Sequence, residues 1–123
     1  MICIRITERE DGLELFAHGH AGYAPRGQDV VCAGVSALLY GFIAYLEGLL
    51  SIATAEALDG TSPRLQVREG DGSLWVETHG LSGRDLDGLG GTLAGLRLIT
   101  ACYPAFVMLE THIYRKGDAH EPN

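Results

Sequence analysis

The chain has 123 residues, enough for one domain and too few for two with separate cores. Its composition, 46% hydrophobic and 20% charged, is that of a folded protein rather than a disordered one. A formal net charge of −7, with nine scattered Lys and Arg, leaves no basic patch for a phosphate backbone, so direct nucleic-acid binding is not expected. An acidic surface instead favours encounter with a basic partner, although the same charge also serves solubility alone.

Cys3, Cys32 and Cys102 cannot all pair within one chain, and Arg5, Glu8, Arg9 and Glu10 interrupt any apolar leader. Together these point to a reducing, cytoplasmic setting. No stretch reaches about 18 uninterrupted apolar residues, so no membrane span is expected.

Residues 1–7 (MICIRIT) alternate apolar and polar, the pattern of a half-buried strand. Asp11-Gly12 marks a turn, and residues 13–18 (LELFAH) read as the returning strand. Three glycines and a proline in residues 19–27 (GHAGYAPRG) exclude regular structure and predict a mobile loop. Residues 30–50 are almost all apolar or small, too long for a strand, and predict a helix buried on most sides. Gly34, Gly41 and Gly48 recur at seven-residue spacing and so lie near one stripe of that helix. Bare positions there let another element approach, either the sheet in tight packing or a helix across a dimer; packing is the simpler of the two.

Asp59-Gly60 through Pro63 is a break. Residues 64–68 and 73–79 flank Gly70-Asp71-Gly72 as a hairpin. Ser82 with Asp85 resembles a helix-start cap, and Leu86, Leu89, Leu93 and Leu96 continue at helical spacing toward Cys102. Gly88, Gly90, Gly91 and Gly95 weaken the first turns of this second helix. Pro104 closes it, and residues 105–114 form a last strand. The expected domain covers residues 1–115, with a polar tail over 116–123. The order ββαββαβ predicts an α+β fold of two layers, a mixed or antiparallel five-stranded sheet covered by two helices.

The chemistry concentrates in residues 19–38, GHAGYAPRGQDVVCAGVSAL. If Asp29 caps the long helix, Cys32 falls in its first turn, among backbone N–H groups and at the positive end of the helix dipole. That position favours thiolate, the nucleophilic form. Free N–H groups at the same end suit the oxyanion of acyl transfer. His20 lies in the preceding loop, a short chain distance away, and an imidazole in contact with a thiol forms the ion pair that nucleophilic cysteines use. The same ring can later protonate a leaving amine. Separately, a cysteine on an apolar helix is more often a core residue and a histidine among glycines more often a turn residue. It is their combination that points to catalysis.

The sequence G-H-A, an eleven-residue spacer from His20 to Cys32, and then D-V-V-C-A-G-V-S-A-L resemble the signature of the ribosomal-processing cysteine proteases. The likeness extends over most of the chain, roughly to Tyr114. It implies His20 as base and Cys32 as nucleophile, a loop that reorganises when a peptide enters, and a homodimer without a cofactor. It also implies the substrate, a basic protein of the large ribosomal subunit, the one numbered twenty-seven, which loses an N-terminal extension. Tyr23, Ala24, Pro25 and Arg26 fill the variable part of the loop, where Pro25 stiffens it.

Supporting roles are open to two readings each. Asp29 either caps the helix or orients His20, and the cap suffices to explain it. Ser36, one turn after Cys32, lines the site or bonds back within the helix. Gly34 admits either substrate backbone or a packing neighbour, and Ala33 stands beside the nucleophile. Gly19, Ala21, Gly22 and Gly27 set the loop geometry. His18, His20 and Cys32 are zinc-ligand types, but the paired close spacing of a structural zinc site is absent, so no metal is expected. Cys3 and Cys102 read as core residues. Gly88 to Thr92 lacks the lysine of a phosphate loop. The remaining rival is a non-catalytic ribosome-assembly module or a thiol redox sensor.

Overall fold

The computed structural model describes residues 1–57, 64–81 and 86–112, with the backbone alone for 50–57. Its elements are β1 (Ile2–Arg9), β2 (Gly12–His18), α1 (Val30–Ala57), β3 (Leu65–Gly70), β4 (Ser73–Thr78), α2 (Leu89–Cys102) and β5 (Val107–His112). The strands form one mixed sheet in the order β3-β4-β2-β1-β5. β5 runs parallel to β1, and the other pairs are antiparallel. This is the α+β architecture that the element order implies.

Alternation decides which face is buried. Ile2, Ile4 and Ile6 of β1, Leu13 and Leu15 of β2, and Leu74 and Val76 of β4 all point inward. Val31, Val35, Leu39, Phe42 and Leu46 of α1 cover them, together with Leu89, Leu93 and Leu96 of α2. The opposite face of the sheet, carrying Cys3, Arg5, Phe16, His18, Trp75 and Met108, has no element of the described chain over it.

Several expected boundaries shift. The first hairpin loop is Glu10-Asp11, because Arg9 pairs with Gly12. α1 continues past residue 50 to Ala57. It is not buried on most sides: Val30, Ala33, Ala37, Tyr40, Gly41, Ala44 and Gly48 are exposed. An all-round apolar composition therefore hides a one-sided helix, its outer face mixing small residues with the exposed Val30, Tyr40 and Tyr45. The glycine stripe does not pack on the sheet. A Cβ on Gly34 would meet Ile99 of α2 at 3.2 Å, whereas Gly41 and Gly48 face open space. Residues 86–88 form a turn and α2 opens only at Leu89, with no side-chain cap. The glycine-weakened first turns are the reason. β5 begins at Val107, two residues later than expected. The break at Asp59 to Pro63, the Ser82–Asp85 cap, residues 113–114 and the tail over 116–123 lie outside the described residues.

Val30–Leu49 has a mean hydropathy of 1.8, long and apolar enough by composition to cross a membrane. Its inward face, with Val31, Val35, Leu39, Phe42, Ile43 and Leu46, packs into the domain core.

One buried polar group joins the hairpins. Thr78 is 1% exposed, and its hydroxyl accepts the Leu13 N–H at 3.0 Å. Replacing it with the near-isosteric Val leaves that donor buried without a partner, a cost of about 1–3 kcal/mol. Thr78→Val is expected to lower the unfolding free energy by that amount, read as a lower urea midpoint with no change in slope.

Candidate active site

An open cleft of about 950 Å³ lies where the first turn of α1, the loop over 19–28 and the β3–β4 turn converge. His20, Cys32, Asp29, Ala33 and Ser36 all line it. Cys32 is the third residue of α1, half-buried and not sealed in the core. Its sulfur accepts the Ala21 N–H at 3.4 Å. His20 is exposed, and no hydrogen bond joins its ring to the sulfur among the described residues. The ring instead lies over the β3–β4 turn: a Cβ on Gly72 would fall 2.7 Å from Nε2. The Gly19 N–H donates to Gly72 O at 2.8 Å, tying the base of the loop to the same turn.

Asp29 does two jobs with its two oxygens. Oδ1 accepts the N–H groups of Val31 and Cys32, each at 3.0 Å, and caps α1. Oδ2 accepts the N–H of Tyr23 at 3.0 Å and of Ala24 at 3.4 Å, which holds the loop. No contact joins it to His20 among the described residues, so capping is its role, and loop holding is added to it. One expectation is corrected: the first-turn amides are not free. Those of Val31 and Cys32 serve the Asp29 carboxylate, and that of Ala33 donates to Asp29 O at 3.0 Å.

The loop is also more constrained than its composition implies. Tyr23 packs edge-on to Tyr103 and Phe106, with ring centroids 5.4 and 5.3 Å away. Gln28 N–H closes a turn onto Pro25 O at 2.9 Å. Gly19, Gly22 and Gly27 have positive φ. At Gly19 a Cβ would in addition meet Met1 O at 2.3 Å, so only glycine fits where the chain leaves β2. Ala21 is buried beneath the loop.

Ser36 faces the cleft and makes no bond back into the helix among the described residues. Gly34 serves helix packing rather than substrate access, since Ile99 is what a side chain there would meet. Among the described residues no three His, Cys, Asp or Glu side chains gather as a metal site.

Sequence reasoning missed two contributors. Tyr40 lines the cleft, and its hydroxyl bonds Glu69 of β3; partial burial first, and then that carboxylate, push its pKa above the ordinary value. Cys32, Ser36 and Tyr40 are spaced four apart, so helical periodicity could have found it. The β3–β4 turn under His20 had no such signal, because only the order of strands brings it there.

The Asp29 carboxyl is held below its usual 3.8, chiefly by the Cys32 N–H, against a partial desolvation that acts the other way. A depressed native value means the latch stabilises the fold at pH above 3.8 and is lost as pH falls below that through the native value. Asp29→Ala is expected to remove this acid-dependent step from the unfolding profile. It should also speed hydrogen exchange at the Tyr23 and Ala24 amides at neutral pH; unchanged exchange there would refute the latch.

Comparison with known proteins agrees with this geometry. The family profile described as cysteine protease Prp matches residues 1–107. The ribosomal processing cysteine protease Prp of Mycoplasma pneumoniae is 34% identical over 97 residues, covering 79% of this chain and 85% of that protein. The crystal structure of the S. aureus ribosomal processing protease Prp with a covalently linked product peptide superimposes with a TM-score of 0.71 at 26% identity. That match covers 90% of this chain and 99% of the other. The same S. aureus enzyme with a substrate peptide gives 0.66 at 25% identity, with the same coverage. The chain therefore belongs to the Prp family of cysteine proteases.

Proposed function

We propose that Cys32 and His20 are the catalytic pair of a peptidase that trims the N-terminal extension of a large-subunit ribosomal protein, the one numbered twenty-seven. The observation that carries this is that both side chains line one cleft at the start of α1, with a backbone N–H already on the sulfur. The names of the relatives support the ribosomal substrate class.

The chemistry follows from the two groups. With the Cys32 proton on His20, the thiolate adds to the scissile carbonyl carbon and the carbonyl oxygen takes up the electron pair. The Ala21 N–H stands beside that point and can turn from the sulfur to the oxyanion. Collapse breaks the C–N bond, and His20 gives its proton to the departing amine. Water then attacks the thioester with His20 as base, which releases the new carboxyl end and restores the ion pair. No step calls for a cofactor.

Asp29 and Asp71 line the cleft against a single cation there, Arg26, so a basic peptide segment is favoured over an acidic one. Three free cysteines support a reducing cytoplasm as the working compartment. The exposed stripe of Gly41, Ala44 and Gly48 supports a homodimer through α1.

Cys32→Ala and His20→Ala are each expected to abolish cleavage of a peptide spanning the processing junction while circular dichroism stays unchanged. Full cleavage by the Cys32→Ala protein would defeat the assignment. Alkylation alone does not decide, because a redox sensor or a non-catalytic assembly module would also present a reactive thiol. Gly72→Ala crowds the His20 ring and strains a φ of +68°, so it is expected to slow cleavage without unfolding the chain. The dimer is tested by light scattering: the wild-type mass should be twice that of the chain, and Gly41→Arg should halve it. A monomeric wild-type protein would refute the dimer.

A further inference from the structure

Cys3 is not a core residue. It points to the uncovered face of the sheet, and strand register sets its neighbours there. Across β2 it pairs with His18, and across β5 it pairs with Met108. A thiol, an imidazole and a thioether thus stand in one row on three adjacent strands. Directly paired positions on one sheet face bring Cβ atoms to about 4.5–5.5 Å, within reach of a shared ion. All three line a second cavity of about 260 Å³, which Cys32 does not line and which shares His18 with the Cys32 cleft. The His18 ring leans on Phe16, with centroids 5.2 Å apart, which keeps it on this face. Met108 is 52% exposed, a thioether facing solvent.

We propose that Cys3, His18 and Met108 form a binding site for a soft monovalent cation, copper(I). Thiolate and thioether donors select copper(I) over hard cations, and three donors suffice for it, whereas a structural zinc site wants four without methionine. On binding, the Cys3 thiol passes its proton to solvent, and the thiolate balances the charge of the ion. The neighbouring Arg5–Glu110 ion pair, 3.5 Å apart, is neutral in sum and leaves that balance unchanged.

The test uses the full chain with Cys32→Ser and Cys102→Ser, which removes the other thiols. Copper(I) is titrated without oxygen against a chromophoric chelator. One equivalent is expected to be retained. Cys3→Ser, His18→Ala and Met108→Leu should each weaken retention by about tenfold or more, the scale on which metal sites respond to loss of a supporting group. His18 and Met108 are exposed, so their variants leave the fold intact. Failure to retain copper(I), or retention unaffected by both His18→Ala and Met108→Leu, would overturn the site.

Discussion

The arrangement at the cleft depends on the two oxygens of Asp29. One starts the helix that carries Cys32, and the other fastens the loop that carries His20. A cap alone is an ordinary helix device. Sharing it with the loop makes the position of Cys32 relative to residues 21–24 a consequence of one side chain. There is an electrostatic cost. The positive end of α1 would favour a thiolate, but a carboxylate already faces those amides. The basic groups that line the same cleft are His18, His20 and Arg26.

Much of the fold is legible in the chain because burial follows alternation. The Ile2, Ile4, Ile6 pattern and the Leu13, Leu15, Ala17 pattern name the inward face without any tertiary knowledge. What alternation cannot give is pairing. Nothing in residues 107–112 says that this strand runs parallel to β1, or that β4 lies beside β2. Nor can composition orient α1. Glycine and alanine count as apolar or small in any window, yet they cover its solvent side while Leu39, Phe42 and Leu46 take the core.

The site divides along the same line. His20, Asp29 and Cys32 are close in the chain, so one loop and one helix start are enough to bring them to a single cleft. Gly72 and Glu69 come from a hairpin some fifty residues on and arrive only through the sheet order. The Gly72 turn reads as a hairpin turn, and so it is, but its second use as the floor beneath His20 has no local mark.

The loop over residues 19–28 is held by latches of limited strength. Beyond the Asp29 bonds, Tyr23 contributes two edge-on aromatic contacts, worth about 1–3 kcal/mol together. Since about 1.4 kcal/mol is a factor of ten in an equilibrium, these rings alone keep the open loop a minority of between one part in five and one in a hundred or so. Deep burial of Tyr23 would have made opening far rarer, and its half-exposed ring on Tyr103 and Phe106 avoids that. The loop is therefore ordered by several weak contacts instead of one strong one.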